Sequence, residues 1–553
     1  MTAWPGRGPA VTGVLALAAM SWAAGAGHAA AATQAPRPAS SSSWTVYHGD
    51  AAGDGVAGPT ATVNTTNRAW TSPVLDGQIF GEPLVSSGRV YVATEDDTVY
   101  ALSAATGAVD WSAQLGRPVP SGSLPCGNIA PVVGITGTPV IDQSRGEIFV
   151  VADELVNGTP EHVFTGLATA SGKVEVTQDV DPAGADTAAL LQRTGLTLDD
   201  GRVVFGMGGN YGDCAAYRGR VIAVPETGGT ADMFTVDAAA GDSQGAIWMG
   251  GAAPVVDSSG DIWVSAGNGS VYSYGQPYDD SDSVLKLSPS LKLVQFFAPA
   301  TWATNNSQDL DMSTAPALLP DGQVIIAGKS RIVYLLNATR LGGIGGQEAA
   351  LGAACGDDID GGVAVQGTTV YLPCFSGIIA VQATQSPAGL RLLWSSGTGG
   401  GPAIVAAGLV WTIGQDGTLY GLSPATGKVR QQASIGVPAN HFPTPSVADG
   451  LLLAPAADQV VAFTAPAATA SASPTARASA STPSQAPATH ATSPPIASGS
   501  ASPPAASGSG GGGVPAGAVA GLVVVGLAVI SGALWLAWRR RTRPLSGGAH
   551  RGG

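Results

Sequence analysis

The strongest constraint on what this chain can become is a unit that recurs along its middle. Its fullest copy is Gly81–Gly116, GEPLVSSGRVYVATEDDTVYALSAATGAVDWSAQLG. Runs at Pro83–Ser86, Val90–Thr94, Val99–Ser103 and around Trp111 are separated by Ser87-Gly88, Asp96-Asp97 and Thr106-Gly107. Short runs of valine and tyrosine bounded by Gly and Asp turns predict four antiparallel strands. A four-stranded meander repeated in this way predicts the blades of a β-propeller. The same grammar returns at 137–181, 195–237, 252–299, 314–350, 361–397, 401–436 and 443–464. The copy at 401–436 follows the first closely, QDGTLYGLSPATGKV against EDDTVYALSAATGAV, whereas 443–464 holds only three strands. Its missing outer strand is expected from Ala69–Asp76, which has an outer-strand pattern and no blade before it. Sharing one blade between the chain ends closes the ring and leaves no sheet edge exposed. The expected fold is all-β, an eight-bladed propeller of four-stranded antiparallel blades over residues 44–465. Seven blades is the alternative, should the sixth copy merge with a neighbour.

The flanks read differently. Residues 1–32 carry one early charge, Arg7, then an apolar stretch from Val11 to Ala24 and small residues at Ala29–Ala32, the layout of a secretory signal peptide. Pro466–Gly513 is built of Ala, Ser, Pro, Thr and Gly, a composition that buries no core and is expected as a disordered stalk. Residues 514–538 include the uncharged stretch Val519–Trp538, long enough for a transmembrane helix. The basic tail 539–553, opening with Arg539, Arg540 and Arg541, is expected in the cytoplasm. Together these predict a single-pass cell-membrane protein with its propeller outside.

Eight of the 25 basic residues, and none of the 39 acidic ones, lie outside Trp44–Ala465, so the propeller carries 17 − 39 = −22. So acidic a surface excludes nucleic acid as a partner and leaves cationic or neutral ligands, an unknown small molecule or a cell-envelope protein. Cys126, Cys214, Cys355 and Cys374 are four, as two disulfides require, with three possible connectivities. Strand order pairs Cys126 with Cys214, which occupy equivalent places in blades two and three. It pairs Cys355, before the inner strand of blade six, with Cys374, at the end of that blade's second strand.

The pattern Ala-x-x-x-x-Thr-Gly-x-x-x-Trp-x-x-x-x-Gly at Ala101–Gly116 resembles the tryptophan-docking repeat of the pyrroloquinoline-quinone (PQQ) propellers. In that repeat the tryptophan stacks between blades and the Thr-Gly turn sets the angle of the outer strand. Blade seven keeps Thr426-Gly427 but has Gln431 in the tryptophan position. A second resemblance lies in the order Trp248, AGNG at Ala266–Gly269, DSVLKLSPSL at Asp282–Leu291, Trp302, QDLDMS at Gln308–Ser313 and AGKSRIVYLLN at Ala327–Asn337. This order is similar to the catalytic half of PQQ-dependent alcohol dehydrogenases. The resemblance implies Trp248 as the stacking floor for the quinone and Lys329, beside Arg331, as the cation on its oxygens. It implies Asn268 as a calcium ligand and Asp309 or Asp311 as the catalytic base. Asp213, in NYGDCAAYRG, is the nearest counterpart of the family's calcium-ligating glutamate. The family's adjacent cysteine pair is absent, since Cys126 stands alone in PCGNI.

Strand order alone places these residues together. Trp248, Asp309 and Asp311 precede inner strands, while Asn268, Lys329 and Arg331 lie between second and third strands. Both connections open on one face of a propeller, so all six are expected at one mouth. Turn chemistry is the competing account of Asn268 and of the two aspartates, and core packing that of Trp248. Glu95, Asp96 and Asp97 read as turn residues, and neither His162 nor His441 is given a role. The expected function is a non-enzymatic propeller that binds a ligand or protein. The alternative is a PQQ- and calcium-dependent dehydrogenase oxidising an alcohol or sugar.

Overall fold

The computed structural model describes residues 43–58, 63–236, 239 and 241–464. Eight sheets of four or five strands follow one another along the chain, with a two-stranded ribbon, Val119–Pro120 and Val132–Val133, between the first and the second. Blade one is Leu84–Ser86, Arg89–Ala93, Thr98–Ser103 and Val109–Gln114. Its first three strands carry the buried valines and tyrosine, whereas the outer strand is mostly exposed, which is why its sequence turns polar after Val109. Blade three adds a short strand, Leu190–Leu191, and blade four a parallel one, Gly343–Ile344, to this plan. The sixth copy forms its own sheet, from Ala364–Gln366 to Ala388–Ser396, so the count is eight.

The ring closes as strand order predicts. Arg68–Thr71 pairs antiparallel with Gln459–Thr464, and the sheet continues through Leu451–Ala456 to Ser446–Ala448. The closing strand is shorter than the expected 69–76. Beyond Thr71 only single main-chain bonds continue, Ser72 N–H to Val460 and Leu75 N–H to Asp458, because Pro73 has no N–H to extend the ladder.

Adjacent blades are tied by tryptophans on outer strands. Trp70 lies on the Thr106-Gly107 turn of blade one, Trp111 on Gly172 of blade two and Trp394 on Gly427 of blade seven. Their indole N–H groups donate to Ala104, Thr169 and Pro424 carbonyls at 2.8, 3.0 and 2.8 Å. A Cβ at Gly107 would stand 2.5 Å from the Trp70 ring, so the turn glycine is required by close approach as well as by its positive φ. Gln431 of blade seven, lacking the indole, exchanges two hydrogen bonds with the main chain at Thr65 and Val63 instead.

The segment before the closing strand does what the sequence did not signal. Main-chain bonds join it to the free inner edges of five blades: Trp44 to Val85, Thr45 to Ile141, Ala51 to Val256, Asp54 to Val365 and Gly55 to Val405. It therefore crosses the end of the axial channel opposite the mouth. Tyr47 and His48 enter the channel, the tyrosine stacked on the imidazole at 4.3 Å.

The leader, stalk, membrane span and basic tail expected at 1–32, 466–513, 514–538 and 539–553 lie outside the described residues. Among the described residues no helix is long and apolar enough to cross a membrane; the α-helix Trp302–Gln308 has seven residues. The single-pass localisation and the membrane as a partner, expected from the apolar C-terminal run, are thereby withdrawn.

Candidate functional site

The mouth is organised by the excursion between blades four and five. The helix Trp302–Gln308 buries Trp302 edge-on against Tyr278 at 5.0 Å and Tyr274 at 5.8 Å. Asn306 accepts the Gly269 N–H at 2.9 Å and donates to the Val271 carbonyl, and Asn305 donates to Asp282 at 2.6 Å. These bonds pin the helix to the AGNG loop of blade four. The helix stops at Asp309, whose left-handed backbone (φ 56) turns Asp309-Leu310-Asp311 back toward the axis.

Five of the sequence-selected residues meet there. Asp311, 4 % exposed, accepts the Asn268 N–H at 2.6 Å with one oxygen and contacts Lys329 Nζ at 2.6 Å with the other. Asp309 contacts the same ammonium at 3.0 Å. Lys329 Nζ lies over the Trp248 ring, 5.4 Å from its centroid. Gly267 makes the arrangement possible, because a Cβ there would stand 2.8 Å from Asp311 Oδ1 and 3.3 Å from Trp248 Nε1. Burial opposes the charge on Lys329, but the two carboxylates outweigh it and hold the ammonium well above its ordinary value. The walls of the mouth, and then the Asp311 charge, push Asp309 up to about 6 although its side chain is two-thirds exposed.

Asp213 stands nearby, raised by burial and by Asp311, and accepts the Tyr217 hydroxyl at 2.7 Å. Arg331 donates to the Gly356 carbonyl at 3.2 Å. Cys126 is bonded to Cys214, next to Asp213, and Cys355 to Cys374, so both disulfides brace loops of this face. Glu82 is buried and accepts the Trp44 indole N–H with one oxygen and the His48 N–H with the other.

Other members of the mouth escaped sequence reading. An aromatic arc runs from Phe375 to His441, 5.1 Å apart, then to Phe442 and on to Trp248 at 5.9 Å. Asp360 takes the Ser313 hydroxyl, and burial pushes it up to about 7. The arc was hidden because its rings come from separate blades; only their shared place after second or outer strands connects them.

Several known proteins share this architecture. A family model described as outer membrane protein assembly factor BamB, of the PQQ-repeat type, matches residues 63–282. Over that span the repeats match the PQQ type, and the whole domain is an eight-bladed β-propeller. The PQQ-repeat propeller superposes on quinohemoprotein alcohol dehydrogenase from Comamonas testosteroni with TM-score 0.58 and 15 % identity, covering 76 % of this chain and 80 % of that one. A quinohemoprotein alcohol dehydrogenase from Pseudomonas putida HK5 gives 0.56 and 14 %, with the same coverage. A europium-containing methanol dehydrogenase gives 0.53 and 15 %, over 75 % and 89 %. At such identities the likeness establishes the fold. No curated protein matches the chain by sequence.

The dehydrogenases raise the question of calcium and quinone. Calcium takes six to eight oxygens. At this mouth both Asp311 oxygens and one of Asp309 are already engaged, and one Asp213 oxygen holds Tyr217. Among the described residues, three donors from His, Cys, Asp or Glu side chains gather within 4.8 Å only at Cys355, Asp357 and Cys374, where the cysteines are bonded to each other. Asp213, Asp309 and Asp311 do not converge in that way, so the residues present do not fit a calcium ion. Trp248 faces the mouth with the Lys329 ammonium over its ring.

Proposed function

We propose that this PQQ-repeat propeller is a non-enzymatic binding module whose binding face is the mouth around Trp248. The observation that carries the reading is the Lys329 ammonium, held by Asp309 and Asp311 over the indole. A built-in cation neutralises the carboxylates that a metal would otherwise use, and it leaves a preformed aromatic and acidic surface. The Phe375–His441–Phe442–Trp248 arc supplies ring faces, and Asp213, Asp358 and Asp360, each raised by burial, supply carboxyl groups for hydrogen bonding. Such a surface suits neutral or cationic ligands. The second reading, a PQQ- and calcium-dependent dehydrogenase acting on an alcohol or sugar, is favoured by Asp309, an exposed carboxyl near 6 beside Lys329.

Titration of the purified protein with PQQ and Ca²⁺ separates the two. The binding module retains no quinone after desalting and reduces no dye with alcohols or sugars. Stoichiometric quinone uptake with substrate-dependent dye reduction, both lost in a folded Trp248→Ala variant, would overturn the proposal in favour of the dehydrogenase.

A further inference from the structure

Away from the mouth's centre, the turn between the second and third strands of blade one contains two buried carboxyl groups, three of whose four oxygens have no hydrogen-bond partner. Asp97 is fully buried, and neither of its side-chain oxygens has a hydrogen-bond partner. Glu95, 3 % exposed, accepts the Gly134 N–H at 2.8 Å and the Thr136 hydroxyl at 3.1 Å through Oε2, while Oε1 is unpartnered. Among the described residues no lysine, arginine or histidine nitrogen makes an ion pair with either. The next carboxylate, Asp153, is already matched by His162 at 2.8 Å. The Glu95 carbonyl oxygen and Asp97 Oδ1 both converge on Gly134, 2.4 and 2.6 Å from where a Cβ would stand.

The chain carries its own control. Blade seven repeats this turn as Gln415-Asp416-Gly417, and Gly417 has the left-handed φ, 75, that Asp97 adopts at 57. The turn therefore forms without either carboxylate, and glycine suits its backbone better. An aspartate there meets an unfavourable φ and an unpartnered burial that costs several kcal/mol by ordinary transfer values. Burial, and next the Asp153, Glu154 and Glu95 charges, push Asp97 up to about 10, and burial pushes Glu95 up to about 8. Buried carboxyl oxygens without a protein partner need a proton, a water or an ion to satisfy them.

We propose that Glu95 and Asp97 hold a hard divalent cation at the junction of blades one and two. Carboxylate and carbonyl oxygens are the donors that calcium prefers, with further carbonyls and water completing the shell. The ion welds the blade-one turn to the Val132–Thr136 stretch that leads into blade two. It is distinct from the Asp309–Asp311 mouth, whose carboxylates are neutralised by Lys329.

The test is metal content by mass spectrometry after exhaustive dialysis, with thermal unfolding in Ca²⁺, Mg²⁺ or EDTA. The wild-type protein should retain about one divalent ion per chain. EDTA should lower Tm, and Ca²⁺ at a hundredfold excess over Kd should restore about 3 °C. Asp97→Gly, which installs the blade-seven residue, should stay folded, lose the ion and become indifferent to EDTA. Asp311→Asn should keep the ion. Wild-type protein without metal and without a Ca²⁺ or EDTA response would overturn the site and leave a protonated pair. An ion kept in Asp97→Gly but lost in Asp311→Asn would overturn it equally, by moving the metal to the mouth.

Discussion

His162 is clamped between Asp153, 2.8 Å from Nε2, and Asp181, 2.7 Å from Nδ1, and the ring is 2 % exposed. Each ring nitrogen faces a carboxylate, so both must carry a proton and the imidazole is held as a cation. Burial opposes that charge, but Asp153 and Asp181 overcome it and push His162 up to about 10 from 6.5. Burial also raises Asp153, so the folded protein binds more protons here than the unfolded chain in both groups. The histidine's share of that stability is therefore fully present below pH 6.5 and is lost as the pH rises toward 10, while the Asp153 share fades already from pH 3.8 upward. At 1.36 kcal/mol per pKa unit its ceiling is about 5 kcal/mol. Replacing the ring by glutamine strands two buried carboxylates, a loss of about 3–5 kcal/mol. In a domain of this size one kcal/mol moves Tm by about 1 °C, so His162→Gln should melt about 3–5 °C lower at pH 6. The gap between wild type and variant should close by pH 10. Urea or thermal unfolding of both proteins at pH 6, 8 and 10 measures it. A gap that stays constant across that range, or one below about 0.5 kcal/mol at pH 6, would refute the charged clamp.

Trp70→Ala removes the indole that ties the closing strand to blade one, and should cost about 3–5 kcal/mol in urea unfolding. An unchanged midpoint would mean that the ring closes without that strand. Reduction of Cys126–Cys214, whose sequence separation is 88, should lower stability by about 4–5 kcal/mol on the chain-entropy model. Retention of full stability by a Cys126→Ser/Cys214→Ser protein would show that the Asp213 loop is held by its other contacts. Gln431→Trp, which restores the repeat's docking residue, should destabilise, because the larger ring displaces the bonds at Val63 and Thr65. A rise in Tm would assign the glutamine to drift.

The blades were legible because a turn every few residues and a valine or tyrosine at alternate positions are local signals. Blade one and blade seven show how far that reaches: their sequences match, and so do their four-stranded sheets. The closing strand was legible for a topological reason, as the single outer-strand pattern with no blade before it. The channel segment was not, because Trp44–Ala57 makes isolated main-chain bonds to five different blades and never builds a strand of its own. Convergence at the mouth followed from strand order, but the pairing inside it did not. Nothing in QDLDMS or AGKSR says that Lys329 will take both aspartates while Asn268 meets Asp311 through its main chain. The His162 clamp was equally silent, since its partners lie nine residues before it and nineteen after.

The placement of these features bears on how such a propeller acquires a role. Trp70, Trp111 and Trp394 bind blade to blade at the outside of the ring, and Trp44–Ala57 binds five inner edges at one end of the axis. Both devices leave the opposite face free of structural duty. On that face the departures from the repeat accumulate: the Trp302–Gln308 helix, the two disulfides, the Asp309–Lys329–Asp311 cluster and the Glu95–Asp97 pair. A residue that breaks the repeat's local preference at a cost in burial or backbone strain needs a compensating partner. At the mouth the partner is visible as Lys329. At Asp97 it is not among the described residues, and the same reasoning that explains the first site is the ground for proposing a cation at the second.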